Sequence, residues 1–193
     1  MGGEADAGKW YEAAKTTFTA LVDTKHTVSS AFQLVNVPSG VWIDEQGRVV
    51  RPGEPSWSTN QTFNVLNAQG KPIVAEGEKY VAALRDWVEK GDRSQYALSD
   101  EAFTARVTPR SQAEMEADAS FKLAVWFQQA GQNDRASVYF DRAQRLNPND
   151  WNYHRQHWNF EGQASGEKFR DKVRKLETPY YPTLELEKKV TTP

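Results

Sequence analysis

The sequence predicts an α/β region over residues 1–91 followed by an all-α segment over residues 92–193, and three observations predict it. Between Val41 and Arg51, two β-rich runs flank the turn Glu45-Gln46-Gly47, the pattern of a hairpin. Over residues 76–90, Tyr80, Val81, Leu84, Trp87 and Val88 form one apolar stripe at helical spacing, and Lys90-Gly91 supplies a cationic last turn and a C-cap. Beyond Pro109 the remaining apolar stripes are helical. At about 150 residues per domain, 193 residues make one large domain or two small ones.

Each element has a local reason. Trp10, Tyr11, Ala13 and Ala14 among polar residues predict a weak amphipathic helix over 6–15. Phe18, Ala20 and Val22 alternate with Thr17, Thr19 and Leu21, which predicts a strand ending at Asp23. Val28, Ala31, Phe32 and Val35 suit a short helix over 26–34. Residues 52–62, with Pro52, Gly53 and Pro55, read as a surface loop. A second hairpin joins Phe63, Val65 and Leu66 to Ile73 and Val74 through Asn67-Ala68-Gln69-Gly70, with Pro72 confining its second run to a sheet edge.

In the second half, Ser111-Gln112-Ala113-Glu114 is a capping-box pattern that opens a helix. Residues 151–160 predict a further helix started by Asn149 or Asp150. Phe169, Val173 and Leu176 give another helical stripe, and the charged run from Glu167 to Glu177 reads as its solvated face. Pro179-Tyr180-Tyr181-Pro182 predicts an extended segment on the surface.

Composition excludes several classes of function. A formal net charge of −2 gives no electrostatic drive toward nucleic acid. There is no cysteine, so these residues provide no thiol nucleophile, dithiol exchange, thiol peroxidase chemistry or cysteine-ligated metal centre. No stretch approaches the roughly 18 apolar residues of a membrane span, and Met1-Gly2-Gly3-Glu4-Ala5-Asp6 lacks the features of a signal peptide. As written, the sequence is expected to be soluble and cytoplasmic. No phosphate-binding glycine motif occurs, and no pair of carboxylates is marked as a general acid and base. The expectation is therefore no cofactor, no metal and no catalytic residue.

Leu123, Ala124, Phe127, Gly131, Ala136, Phe140, Ala143 and Pro148 stand at the offsets of a helix–turn–helix unit about 34 residues long. Small residues at 124, 136 and 143 let two helices approach, Phe127 and Phe140 fill between them, and Gly131 makes the turn. The segment 114–148 resembles one tetratricopeptide repeat, with Ser120 where that family has an early Trp. One repeat later the pattern fails, because His157 and Trp158 take the places of Leu123 and Ala124.

The run from Phe18 to Arg51 has the order strand, short helix, Asn36-Val37-Pro38, strand Val41 to Asp44, turn through Gly47, strand Arg48 to Arg51. It resembles the second half of a thioredoxin-fold domain of the redoxin type, which includes alkyl hydroperoxide reductases and thiol–disulfide oxidoreductases. That resemblance implies a partial thioredoxin-like α/β fold, a cis peptide before Pro38, and a Val37-Pro38 loop that presents backbone groups to an extended peptide. The family's activity is thiol–disulfide or peroxide reduction. Its Cys-x-x-Cys, with the strand and helix that carry it, is expected well before Pro38 and is absent, as from the C-terminal portion of a longer redoxin.

Candidate sites have competing readings. Pro38 is either the cis proline of a peptide-binding loop or an ordinary trans proline at a strand start. Asp44 with Gly47 is simpler as turn chemistry. His154 and His157, with Asp150 one turn earlier, have metal-compatible spacing but lack a further ligand, so structural roles are favoured. His26 has no nucleophile motif near it. Trp126, Tyr139, Trp151, Tyr153 and Trp158 either line a peptide groove or belong to the core.

Two functions follow. One is a redoxin-family protein that is non-catalytic for want of cysteine. The alternative is a protein-interaction module in which helices 114–146, their cap 151–160 and the Pro38 surface hold a peptide or partner subunit, with Trp126, Tyr139, Trp151 and Trp158 as its face. A second copy covering an exposed sheet edge is a further expected partner.

Overall fold

The computed structural model describes residues 3–66, 72–163, 166–176, 180, 181, 184 and 186. In chain order the elements are α1 (Gly3–Ala14), α2 (Thr27–Ala31), β1 (Ser39–Ile43), β2 (Val49–Pro55), β3 (Asn60–Leu66), β4 (Pro72–Glu76), α3 (Gly77–Lys90), a 3-10 turn (Gly91–Arg93), α4 (Asp100–Arg106), α5 (Gln112–Gln129), α6 (Asn133–Leu146), α7 (Trp151–Phe160) and α8 (Glu167–Arg174). The class is mixed α/β: among the described residues, eight α-helices and two two-stranded antiparallel sheets, with a helical C-terminal half.

The chain forms two compact units, each assembled from two stretches: residues 1–35 with 110–169, and residues 36–109 with 170–193. The boundary expected after residue 91 falls inside the second unit. The strand expected over 18–22 does not form; these residues have no regular structure, and Phe18 and Leu21 are 65% and 78% exposed. Alternation makes a strand only where a neighbour completes its hydrogen-bond ladder, and no described strand pairs with this stretch.

In the second unit, β1 pairs antiparallel with β2, Ser39 opposite Pro55 and Ile43 opposite Val49, with irregular register around Trp42. The turn is tied by Asp44, whose Oδ1 accepts from the Arg48 amide at 2.8 Å, and Gly47 takes the left-handed φ of +78° that such a turn requires. β2 and β3 extend into both ends of the expected loop 52–62. β3 and β4 form the second expected hairpin, with Pro72 opposite Leu66 at the start of β4; its turn, 67–71, lies outside the described residues. Trp42, Val50, Tyr80, Ala83 and Ala97 make the core, with Leu84, Trp87, Tyr96, Leu184 and Leu186 packed against it. Trp42 stacks on Trp87 at 5.1 Å, and its Nε1 donates to the Tyr80 hydroxyl at 2.9 Å.

In the first unit, α5 and α6 fold back on one another through Gly131, which has a φ of +73°. Ala117, Ala124, Ala136 and Ala143 are fully buried, and their small side chains bring the helices together around Phe121, Phe127, Phe140 and Tyr153. Burying each large ring here contributes about 2–3 kcal/mol. α5 starts with the full capping box of Ser111 and Glu114, and α7 is capped by Asp150, which accepts from the Asn152 amide at 3.0 Å. Asp23 accepts from the Thr27 and Ser29 amides at 2.8 and 2.9 Å and so starts α2.

Candidate functional site

The Asn36-Val37-Pro38 loop enters β1 through a cis Val37–Pro38 peptide. Asn36 is 2% exposed and organises the loop. Its Oδ1 accepts from the Val37 amide at 2.9 Å, its carbonyl accepts from Ser39 Oγ at 2.6 Å, and its Nδ2 donates to the Tyr180 carbonyl at 3.1 Å. The Val37 carbonyl accepts from the Tyr181 hydroxyl at 2.9 Å, while the Val37 side chain is 42% exposed. Both backbone groups of Val37 thus have partners within the chain, where the resemblance led us to expect them turned toward an external peptide.

Tyr180 and Tyr181 differ from the expected surface segment. Tyr180 is 7% exposed. Tyr181 meets Trp57 edge-on at 5.5 Å and lies 6.4 Å from Phe63, which in turn packs on Trp57 at 4.9 Å. Trp57 Nε1 is buried and has no hydrogen-bond partner among the described residues. The flanking Pro179 and Pro182 lie outside them.

The four aromatic residues expected on an interaction face separate. Trp126 is 57% exposed, beside Leu123 in sequence, which is 44% exposed. Tyr139 is half-buried and stacks on Phe127 at 5.4 Å. Trp151 and Trp158 are buried, each packed edge-on against Phe169 at 5.8 and 6.5 Å. They are core residues, because α7 needs a large apolar face to cover Phe169, and they are removed from the interaction face.

The histidines hold separate structural posts. His154 Nε2 faces the Pro148 carbonyl at 3.1 Å, while His157 stacks on Phe140 at 4.6 Å and meets Gln144 Nε2 at 3.0 Å. Burial holds the His157 imidazole below its usual pKa. No group of three His, Asp or Glu among the described residues is placed to hold a metal ion.

A polar cavity in the first unit, which sequence reasoning missed, is lined by His26, Ser30, Arg110, Asp118, Asp150 and Tyr153 among others. Arg110 donates to the Ser30 carbonyl, and Asp118 pairs with Lys122 at 2.8 Å. His26 has a left-handed φ of +54°, packs edge-on against Phe121 at 4.8 Å, and bonds to the Gln156 side chain. Burial, first of all, lowers the His26 pKa and pushes the Asp150 carboxyl up to about 7, with the Asp118 charge adding to the latter. Burial also pushes up the Tyr153 phenol, which shares a hydrogen bond with Asp150. The space takes about one water molecule and has no room for a substrate. The only local signal in the sequence was the capping role of Asp150.

No family model matches the chain, and no curated protein or solved structure matches it either.

Proposed function

We propose that the chain is a non-catalytic member of the redoxin lineage that holds a peptide or protein partner, with the Asn36-Val37-Pro38 loop as its binding element. One observation carries this reading: the loop already engages a distant piece of chain, through Asn36 Nδ2 to the Tyr180 carbonyl at 3.1 Å and the Tyr181 hydroxyl to the Val37 carbonyl at 2.9 Å. Recognition of an extended chain through backbone groups at the start of a strand is a recurrent peptide-binding mode. The order of motifs from the α2 region through the β1–β2 hairpin supports the lineage. With no cysteine, electron transfer by thiols is outside the reach of these residues. The packed α5–α6 pair, with Trp126 exposed, supplies a second surface for a partner.

The test has two arms. In an insulin-reduction assay with dithiothreitol, the turbidity rate with the chain should equal the protein-free rate; acceleration overturns the non-catalytic assignment. In nuclear magnetic resonance titrations of the ¹⁵N-labelled full chain with a pool of unstructured peptides, amides of residues 36–43 should shift. Unchanged amides at millimolar peptide overturn the binding assignment.

A further inference from the structure

The chain itself contacts the Val37 loop, and those contacts define what else would fit. Tyr180 contributes a backbone carbonyl to Asn36 Nδ2, a donor fixed in place because Asn36 is 2% exposed. Tyr181 contributes a hydroxyl to the Val37 carbonyl at 2.9 Å and a ring to Trp57 at 5.5 Å. Three and five positions further on, Leu184 and Leu186 pack against the core that contains Trp42, Val50 and Tyr80.

The fit is incomplete at one atom. The Trp57 indole N–H is buried without an acceptor among the described residues, although such donors nearly always find one. An unsatisfied donor weakens the bound state of whatever covers it. A ligand that brings an oxygen to that N–H makes a bond that Tyr180 and Tyr181 do not.

We propose that Tyr180 and Tyr181 act as an internal strap over a peptide site formed by Asn36, Val37, Trp57 and Phe63, and that the external ligand is a tyrosine-bearing peptide which displaces the strap. The proposal rests on the peptide-holding reading given above and adds the ligand's chemistry and its competitor. An intramolecular competitor lowers the apparent affinity of any external ligand by the fraction of time for which the groove stands open.

The probe is a fluorescein-labelled synthetic peptide with the sequence of residues 178–187, read by anisotropy against the full-length chain. The double variant Tyr180→Ser, Tyr181→Ser should bind it at least tenfold more tightly than the unaltered chain. Tyr181→Phe, which removes only the hydroxyl bonded to Val37, should bind about threefold more tightly and controls for loss of fold. The Trp57 indole proton, assigned by its loss in Trp57→Phe, should shift on binding. Equal affinity in all three chains overturns the strap while leaving peptide binding intact. Absence of binding to any chain, together with unshifted amides at 36–43 in the peptide pool, overturns both.

Discussion

Arg51 and Glu54 form a forked ion pair inside the β1–β2 unit: Nε to Oε1 and Nη2 to Oε2 are each 2.8 Å, and the Arg51 side chain is 1% exposed. The remaining Nη1 donates to the Tyr96 carbonyl at 2.8 Å, and the guanidinium stands 5.2 Å from the Trp42 ring. Every side of this cation is thus matched by a carboxylate, a carbonyl or an aromatic face.

Breaking that pair from one side should cost more than removing it whole. Glu54→Ala takes a bidentate carboxylate from a buried cation and should lose about 3–5 kcal/mol. Arg51→Met combined with Glu54→Leu should recover most of the loss, since neither charge of the pair is then left buried alone. Urea midpoints of the two variants decide it; a double variant as unstable as Glu54→Ala contradicts the account.

Asp150 makes stability fall as pH rises. Its folded pKa is raised to about 7 from 3.8, so between these values the unfolded chain has released the proton and the folded chain has not. The favourable contribution is complete below the unfolded value and gone above about pH 7. Asp150→Asn keeps an N-cap acceptor and does not titrate. It should be stabilising at pH 8 relative to the unaltered chain, by at most about 4 kcal/mol, and near neutral at pH 4. His26 and His157, with lowered pKa values, act in the opposite sense: their contribution is present above the unfolded value near 6.5 and lost as pH falls through the folded value. The difference between variant and parent in urea melts at the two pH values isolates Asp150.

Gly40 is held to glycine by a neighbour. A Cβ there would collide with the Tyr80 hydroxyl, the group that receives the Trp42 indole proton. Gly40→Ala should destabilise by about 1–3 kcal/mol, and adding Tyr80→Phe should return part of that loss by clearing the oxygen. Thermal melting of the single and double variants gives the comparison.

The tryptophans should split by burial. Trp126→Ala, at an exposed position, should change stability by no more than about 0.5 kcal/mol, whereas Trp158→Ala opens a cavity beside Trp151 and Phe169 and should cost about 3–5 kcal/mol. Similar losses for both would place Trp126 in a core that the exposure data do not show.

Elements specified by neighbours in sequence were legible in the sequence. The Gly47 turn, the stripe from Tyr80 to Val88, the Ser111 capping box and the alanines between α5 and α6 all follow from short-range spacing. Residues 18–22 were not legible, because alternation describes a strand but does not provide its partner. Burial of Asp150 could not be read either: its capping role is local, while its raised pKa depends on residues brought from α5 and the 110 region. The same holds at the candidate site. Val37 and Pro38 were visible as a motif, yet Asn36 meets Tyr180 across 144 positions, a contact that no local pattern encodes.

Both units draw on separated stretches of chain, and this bears on how the protein is made. Residues 23–35 are held by groups that emerge much later: Arg110 on the Ser30 carbonyl, and the Trp151 amide on the Val35 carbonyl at 2.8 Å. During synthesis, the N-terminal stretch must therefore wait while most of the other unit leaves the ribosome, and that unit in turn waits for Tyr180, Leu184 and Leu186. Neither unit can be isolated by a single cut: shortening the chain from its C-terminal end takes Leu184 and Leu186 from the Trp42 core, and removing residues 1–35 takes away the Ser30 and Val35 carbonyls that receive Arg110 and the Trp151 amide.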